Sequence, residues 1–370
     1  MRLLFVARAI DRMAGGLERM IISIMNKLSA RHEVSLLTWD NDRATTFYPM
    51  AAGISWHQID IGDPCVKAGL GTILARLRKI RRLVNDIAPD VIVCFQGGSF
   101  RSMQLYTAGL RIPLVAAERT SPSLYDHANS KRVRFLEHQT FRFARLITIQ
   151  FERYRDLYPA YLRSRIVTIP NPVPQATCFA RPDTPGTGCR WRLLSVGRLG
   201  YQKNFSVLVD AFAELAARFS DWDLRIIGEG EGRGPLEARI ARLPEIKGRV
   251  FLPGTTSEVE AEYAAAHLFC LPSRWEGSPN ALAEALAHGL PAVGFAGCDG
   301  VPDLIETGRN GALAAGNGDA AALADALAPL MADPGKRAEL GSNAPASVAG
   351  YRPEEIFGLW EKVLHECVSG

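Results

Sequence analysis

Short apolar runs alternate with longer mixed segments along most of the chain. In the first half, the runs that read as strands are Leu3–Ala7, Glu33–Leu37, Val91–Phe95, Leu114–Ala117, Leu146–Ile149 and Ile166–Ile169. In the second half they are Leu193–Val196, Leu224–Ile227, Val250–Leu252, Leu268–Leu271 and Ala292–Phe295. Continuous apolar runs suit strands covered on both faces, and helical segments separate most of them. This alternation predicts an α/β protein with doubly wound parallel sheets. The pattern breaks at 170–190, where Pro170, Pro172, Pro174, Pro182 and Pro185 join Gly186 and Gly188; such a stretch reads as a linker. The predicted organisation is a domain over 1–170, a linker over 171–190, a domain over 191–350 and a last segment, 351–370, in which Pro353 starts a helix over Glu354–His365.

In open α/β sheets, ligands bind beyond the carboxyl ends of the strands. The loops placed there are rich in candidates. Gly15 and Gly16 follow the first strand, and Gln96-Gly97-Gly98-Ser99 and Glu118-Arg119-Thr120 follow two later strands of the first half. Arg198 and Lys203, then Ser273 to Glu276, follow strands of the second half. Two such sheets facing each other would hold ligands in a central cleft.

Residues 272–291, PSRWEGSPNALAEALAHGLP, concentrate the chemistry. Glu276 lies in a loop before an alanine- and leucine-rich helix and Glu284 within its first two turns. Pro279 fits that helix's first turn, and Gly289 with Pro291 ends it. Backbone N–H groups over Gly277, Ser278 and Asn280 are expected to face an anion at the helix N-terminus. A phosphorylated polyol such as a nucleotide sugar has groups for both carboxylates and these donors. Residues 191–205, WRLLSVGRLGYQKNF, add a strand, Gly197 at its end, and then Arg198 and Lys203. Arg is a planar bidentate phosphate donor and Lys a mobile point charge, so the pair suits a diphosphate.

The combination V-G-R-L…K-N and S-R-W-E-G-S-P-N-A-L-A-E-A-L-A-H-G-L-P-A-V resembles glycosyltransferase family four, retaining GT-B enzymes that use nucleotide-sugar donors. A-G-G-L-E-R-M at 14–20 matches that family's G-G-x-E-R loop, and I-P-N-P-V at 169–173 its interdomain junction. The resemblance implies a GT-B fold of two Rossmann-like domains, the first for the acceptor and the second for the donor, with the last helix returning to the first. It implies that Glu284 holds the ribose hydroxyls and that Glu276 faces the transferred sugar. Gly277, Ser278, Pro279 and Asn280 would position sugar and diphosphate. Arg198 and Lys203, beside Gly197, would neutralise the leaving diphosphate, while Gly15 and Gly16 would allow close backbone approach. Many members carry a histidine in a first-domain loop near the reacting sugar. This chain has Gln96 and Glu118-Arg119-Thr120 there, and His127 and His138 do not match, so Glu118 is the acceptor-side candidate.

Composition fits two ordinary domains. Hydrophobic residues are 47% and charged residues 22% of the 370, and no apolar run reaches the roughly 18–20 residues that span a bilayer. Met1–Ala7 reads as a strand, not a signal peptide, which places the chain in the cytoplasm by default. Seven scattered cysteines without a C-x-x-C pair suggest reduced thiols. Asp221-Trp222-Asp223 is formally a D-x-D but precedes a strand, so neither a metal nor another cofactor is expected.

Charge divides the halves. Residues 1–170 hold 25 Lys and Arg against 14 Asp and Glu, a net +11; the remainder holds 18 against 25, a net −7. The basic excess concentrates in 74–84, LARLRKIRRLV, and in 131–146, where Lys131, Arg132, Arg134, Arg142 and Arg145 stand among Phe135, Leu136, Phe141 and Phe143. In the first segment Leu74, Leu77, Ile80, Leu83 and Val84 spread over one helical side, opposite Arg78, Lys79 and Arg82. Both suit an anionic membrane surface, on the inner face of the cell membrane. No nucleic-acid motif accompanies the charge. The expectation is a retaining, metal-independent glycosyltransferase. It moves a hexose or N-acetylhexosamine from a nucleotide sugar, UDP-linked by preference, to a glycan or lipid-linked saccharide for cell-surface polysaccharide or glycolipid synthesis. The alternatives are a GT-B nucleotide-sugar epimerase and a non-catalytic nucleotide-sugar-binding membrane module.

Overall fold

The computed structural model describes the chain except Ala14, Pro64, Cys65, Lys67, residues 125–130 and Gly370, and gives Lys131 as backbone only. His127 and Cys65 therefore lie outside the described residues. Two compact units emerge, one of Met1–Pro172 with Pro353–Gly370, the other of Val173–Arg352.

The first unit is built on β1 (Arg2–Val6), β2 (Glu33–Thr38), β3 (Ser55–Gln58), β4 (Val91–Phe95), β5 (Leu114–Ala117), β6 (Leu146–Ile149) and β7 (Ile166–Thr168), in the spatial order 3-2-1-4-5-6-7. All these pairings are parallel. The second unit uses β8 (Trp191–Val196), β9 (Trp222–Ile227), β10 (Val250–Gly254), β11 (Leu268–Leu271), β12 (Ala292–Phe295) and β13 (Gly311–Ala314), in the order 10-9-8-11-12-13, again parallel throughout. Central strands such as β4 and β11 are buried at every position. That is why they read as continuous apolar runs. The pattern missed only β3, SWHQ, and β13, GALA. Both lie at sheet edges, where one side of the strand needs no apolar neighbour.

Each sheet has one point where the strand order reverses, between β1 and β4 in the first unit and between β8 and β11 in the second. Doubly wound folds bind ligands beside this point, at the carboxyl ends of the strands.

The last helix, Pro353–Ser369, belongs to the first unit. Ile356, Trp360, Val363, Leu364 and Cys367 join Phe5 and Phe95 in its core, with Trp360 and Phe95 rings 6.1 Å apart. Of the stretch expected as a linker, residues from Val173 onward belong to the second unit. Arg337, wholly buried, stacks on Trp191 at 4.1 Å and donates to the Pro182 carbonyl at 2.7 Å. His267 Nε2 donates to the Thr184 carbonyl at 2.9 Å while its Nδ1 accepts from the Arg192 N–H at 2.8 Å. Proline and glycine make the backbone of 171–190 irregular, but these two buried side chains pin it to the sheet.

Candidate active site

At the second unit's switch point, the loop after β8 carries Gly197, Arg198 and Lys203, and the loop after β11 carries Ser273 and Glu276. The structure joins Lys203, Ser273 and Glu276. Lys203 Nζ lies 2.6 Å from Glu276 Oε1, and Ser273 Oγ donates to the same oxygen at 2.6 Å. Glu276 and Ser273 are buried. The lysine stem runs over Gly197, where an added Cβ would come within 3.1 Å of Lys203 Cε. A side chain at Gly197 would thus press on the lysine stem. Lysine and glutamate, assigned separately to diphosphate and sugar, form one ion pair here.

Arg198 stands apart. Its guanidinium bonds Glu231 at 3.0 Å, and the two side chains are 74% and 63% exposed. A solvent-screened pair of this kind is worth little and can be exchanged for another anion. Glu231 was not singled out, although Gly228-Glu229-Gly230-Glu231-Gly232 offered a glycine-rich signal.

The helix Asn280–Ala287 begins where expected, with Pro279 at its N-cap. Its N-terminus offers fewer donors than the sequence suggested. Pro279 has no N–H, and the Asn280 N–H donates to the Ser278 carbonyl at 2.9 Å. The Asn280 N–H is therefore engaged within the turn. Glu284, the helix's fifth residue, accepts from the Tyr263 hydroxyl at 3.1 Å. Tyr263 had no distinguishing signal in the sequence. Of the D-x-D, Asp223 is bound by Arg190 through Nε at 2.7 Å and Nη2 at 2.5 Å.

The first unit's switch point is organised otherwise. Gly15 caps the helix Gly16–Leu28. An added Cβ at Gly15 would lie 2.1 Å from Glu18 Oε2, so a side chain here would displace that carboxylate. Glu18 is buried, and burial raises its pKa. The close backbone approach expected at Gly15 and Gly16 thus lies beside an acidic side chain, Glu18.

Glu118 and Arg119, at the end of β5, are buried at 6% and 8% exposure, not an exposed pair. Arg119 donates to the Ile169 carbonyl at 2.7 Å and to Thr148 Oγ1 at 3.0 Å. An ion pair would lower the glutamate's pKa and raise the arginine's. Both move oppositely: burial, reinforced by the Glu137 charge, pushes Glu118 up to about 8, and burial brings Arg119 down to about 9. Glu137 sits against Gly97, where a Cβ would meet its Oε1 at 2.4 Å, and burial raises its pKa too. Glu118 Oε1 and Glu137 Oε2 are buried without a hydrogen-bond partner. A carboxyl with a value near 8 is a stronger base than an ordinary one and keeps its proton at neutral pH.

Comparison with known proteins gives this geometry a family. Residues 184–347 match the model for Glycosyl transferases group 1, and residues 15–172 match that for the Glycosyl transferase 4-like domain. An uncharacterized glycosyltransferase of Haemophilus influenzae is 26% identical over 357 residues, 95% of this chain and 96% of its own. An undecaprenol-diphosphate-linked glycan α-1,4-N-acetyl-D-galactosaminyltransferase of Campylobacter jejuni is 24% identical, with 99% of both chains covered. The solved structure of Anabaena HepE with UDP and glucose covers 99% of both chains at a TM-score of 0.78 and 19% identity, a likeness of fold. The chain belongs to the GT-B glycosyltransferases of the family-four type.

Proposed function

We propose that this glycosyltransferase moves a hexose or N-acetylhexosamine from a UDP-sugar to a glycan or lipid-linked saccharide, with retention of anomeric configuration and without a metal. The observation that carries the reading is the Lys203–Glu276 pair at the second switch point, with Glu284 on the adjoining helix. When the bond from the anomeric carbon to the diphosphate breaks, charge gathers on the leaving oxygen. Lys203, turning from Glu276, and Arg198, turning from Glu231, are cations placed to meet it; stabilisation that grows in the transition state accelerates the step. Glu276 then faces the sugar, and Glu284 accepts from the ribose hydroxyls in place of Tyr263. Glu118 supplies the acceptor-side carboxyl. UDP is favoured by the ligand of the HepE structure, and a lipid-linked acceptor by the name of the Campylobacter relative.

No described helix is long and apolar enough to cross a membrane. The helices Leu70–Ile87 and Lys131–Phe141 nevertheless leave Arg78, Arg82 and Arg132 exposed, together with Leu74, Val133, Phe135 and Leu136; Arg142, Phe143 and Arg145 follow, also exposed. Basic and apolar groups of this kind suit a peripheral position on an anionic bilayer. Lys79, also exposed, is partly engaged within the unit: its Nζ donates to the Ile59 carbonyl at 2.6 Å and the Gln58 carbonyl at 3.2 Å.

The test is product formation from UDP-, GDP- and ADP-sugars with polyprenyl-diphosphate saccharide acceptors, with and without EDTA, and with the product's anomeric configuration read by NMR. The expected result is transfer from a UDP-sugar, with retention, unchanged by EDTA. Conversion of the donor without any acceptor would instead establish an epimerase, and binding without turnover a non-catalytic module.

A further inference from the structure

We propose that Cys178, Glu260 and His288 of the second unit form a binding site for a divalent cation of the zinc class. One ligand atom from each lies within 4.8 Å of the other two. Three elements deliver them: the pinned segment after Val173, the helix Val259–Ala264, and the residue that ends the helix Asn280–Ala287. Separate contacts hold the three together. Thr177 Oγ1 donates to Glu260 Oε2 at 2.6 Å, Cys178 Sγ lies 3.7 Å from the Glu260 carbonyl oxygen, and the Ala180 N–H donates to the His288 carbonyl at 2.8 Å.

The histidine makes this more than a cluster. His288 is 4% exposed. Its Nδ1 donates to the Glu284 carbonyl at 2.8 Å, so Nε2 is the nitrogen that keeps its lone pair. That buried Nε2 has no hydrogen-bond partner. An ordinary structural role accounts for the Cys178 and Glu260 contacts but leaves this acceptor unsatisfied. A ring whose tautomer is fixed by a carbonyl on one nitrogen, with the other nitrogen open, is how histidines are held for metal ligation. The Tyr263 ring, 5.0 Å from the imidazole, further limits its rotation.

The donor set selects the ion. A thiolate and an imidazole favour zinc over magnesium or calcium, and the carboxylate completes three ligands of a four-coordinate site. On binding, the Cys178 S–H bond breaks, its proton goes to solvent and a sulfur–metal bond forms, with no redox change. Bonds of about 2.0–2.3 Å require the ligand atoms to close in by roughly an ångström, within reach of side-chain rotation at Cys178 and Glu260. The site is separate from the transfer chemistry. It adjoins the proposed donor helix through the Tyr263 ring and the Glu284 carbonyl.

The experiment uses Co²⁺ as a spectroscopic stand-in for Zn²⁺, added to the reduced full chain and followed by the near-ultraviolet thiolate-to-cobalt band. The expected result is one ion per chain, the band gone in Cys178→Ser, affinity at least tenfold weaker in His288→Ala, and no change in Cys189→Ser, which removes the exposed thiol. Glu260→Gln, which keeps the side-chain shape, should likewise bind at least tenfold more weakly and gives the same reading if His288→Ala does not fold. A wild-type chain without the band, a band that survives in Cys178→Ser, or full affinity in both His288→Ala and Glu260→Gln would overturn the site.

Discussion

The two switch points share a topology and treat charge in opposite ways. In the second unit, Lys203 meets Glu276 and Arg198 meets Glu231, so each cation has a carboxylate beside it. In the first, Glu118 and Glu137 are buried against backbone, and burial outweighs the attraction of Arg119. Charges that must be handed to a ligand's diphosphate can wait in pairs, whereas a carboxyl whose use is its proton is best held neutral by desolvation. The same fold thus holds paired charges at one switch point and buried carboxyls with raised proton affinity at the other.

The largest effect should come from breaking the exchangeable pair. Lys203→Ala is expected to lower turnover about 100- to 1000-fold, as loss of a transition-state donor does. It should also cost about 1–3 kcal/mol of stability in denaturant melts, because a buried acceptor on Glu276 loses a partner. Arg198→Ala, at the exposed pair, should lower turnover about tenfold with stability within about 0.5 kcal/mol of the parent. Equal turnover in Arg198→Ala, Lys203→Ala and the parent would remove the diphosphate role.

A second variant tests the first unit. Glu118 binds its proton more tightly folded than unfolded, since burial raises its value from 4.5 to about 8. Its contribution is therefore fully present below pH 4.5 and lost as pH rises through about 8. Glu118→Gln should flatten the fall in melting temperature over that window and melt above the parent at pH 9. If Glu118 serves the acceptor, kcat drops while donor affinity stays. An unchanged pH profile would place the carboxyl in water.

The smallest effect concerns the surface. Each Arg near an anionic bilayer contributes about 1 kcal/mol, so Arg78→Glu with Arg82→Glu should weaken liposome co-sedimentation roughly tenfold or more at low salt and leave nucleotide affinity intact. Lys79 is better left in place, because it holds the carbonyls of Gln58 and Ile59. Parent protein that ignores anionic liposomes at low salt would point to a soluble acceptor.

Much of this was legible because central parallel strands must be apolar on both faces, which leaves runs such as Val91–Phe95 and Leu268–Leu271 unmistakable. Edge strands Ser55–Gln58 and Gly311–Ala314 carry no such requirement. Candidate residues could be placed on loops by motif and strand order, but not their partners: Lys203 finds Glu276 73 residues away, and Arg337 finds Pro182 155 residues away. Glu118 could be named as a candidate from its place after a strand, but its burial could not, because sequence carries no measure of burial. The turn at Ser278 to Asn280 consumed an N–H that the helix start was expected to leave open. Prolines at 170–190 reported backbone shape truthfully but said nothing of the buried arginine that anchors it.

The central claim is that the nucleotide of the donor binds the second unit through Glu284. Calorimetric titration of UDP into the parent, Glu284→Ala and Glu118→Gln tests it directly. Loss of hydrogen bonds to a charged acceptor, about 1.5–3 kcal/mol, should weaken binding to Glu284→Ala by roughly 10- to 100-fold and leave Glu118→Gln unchanged. Undiminished UDP affinity in Glu284→Ala would contradict the account.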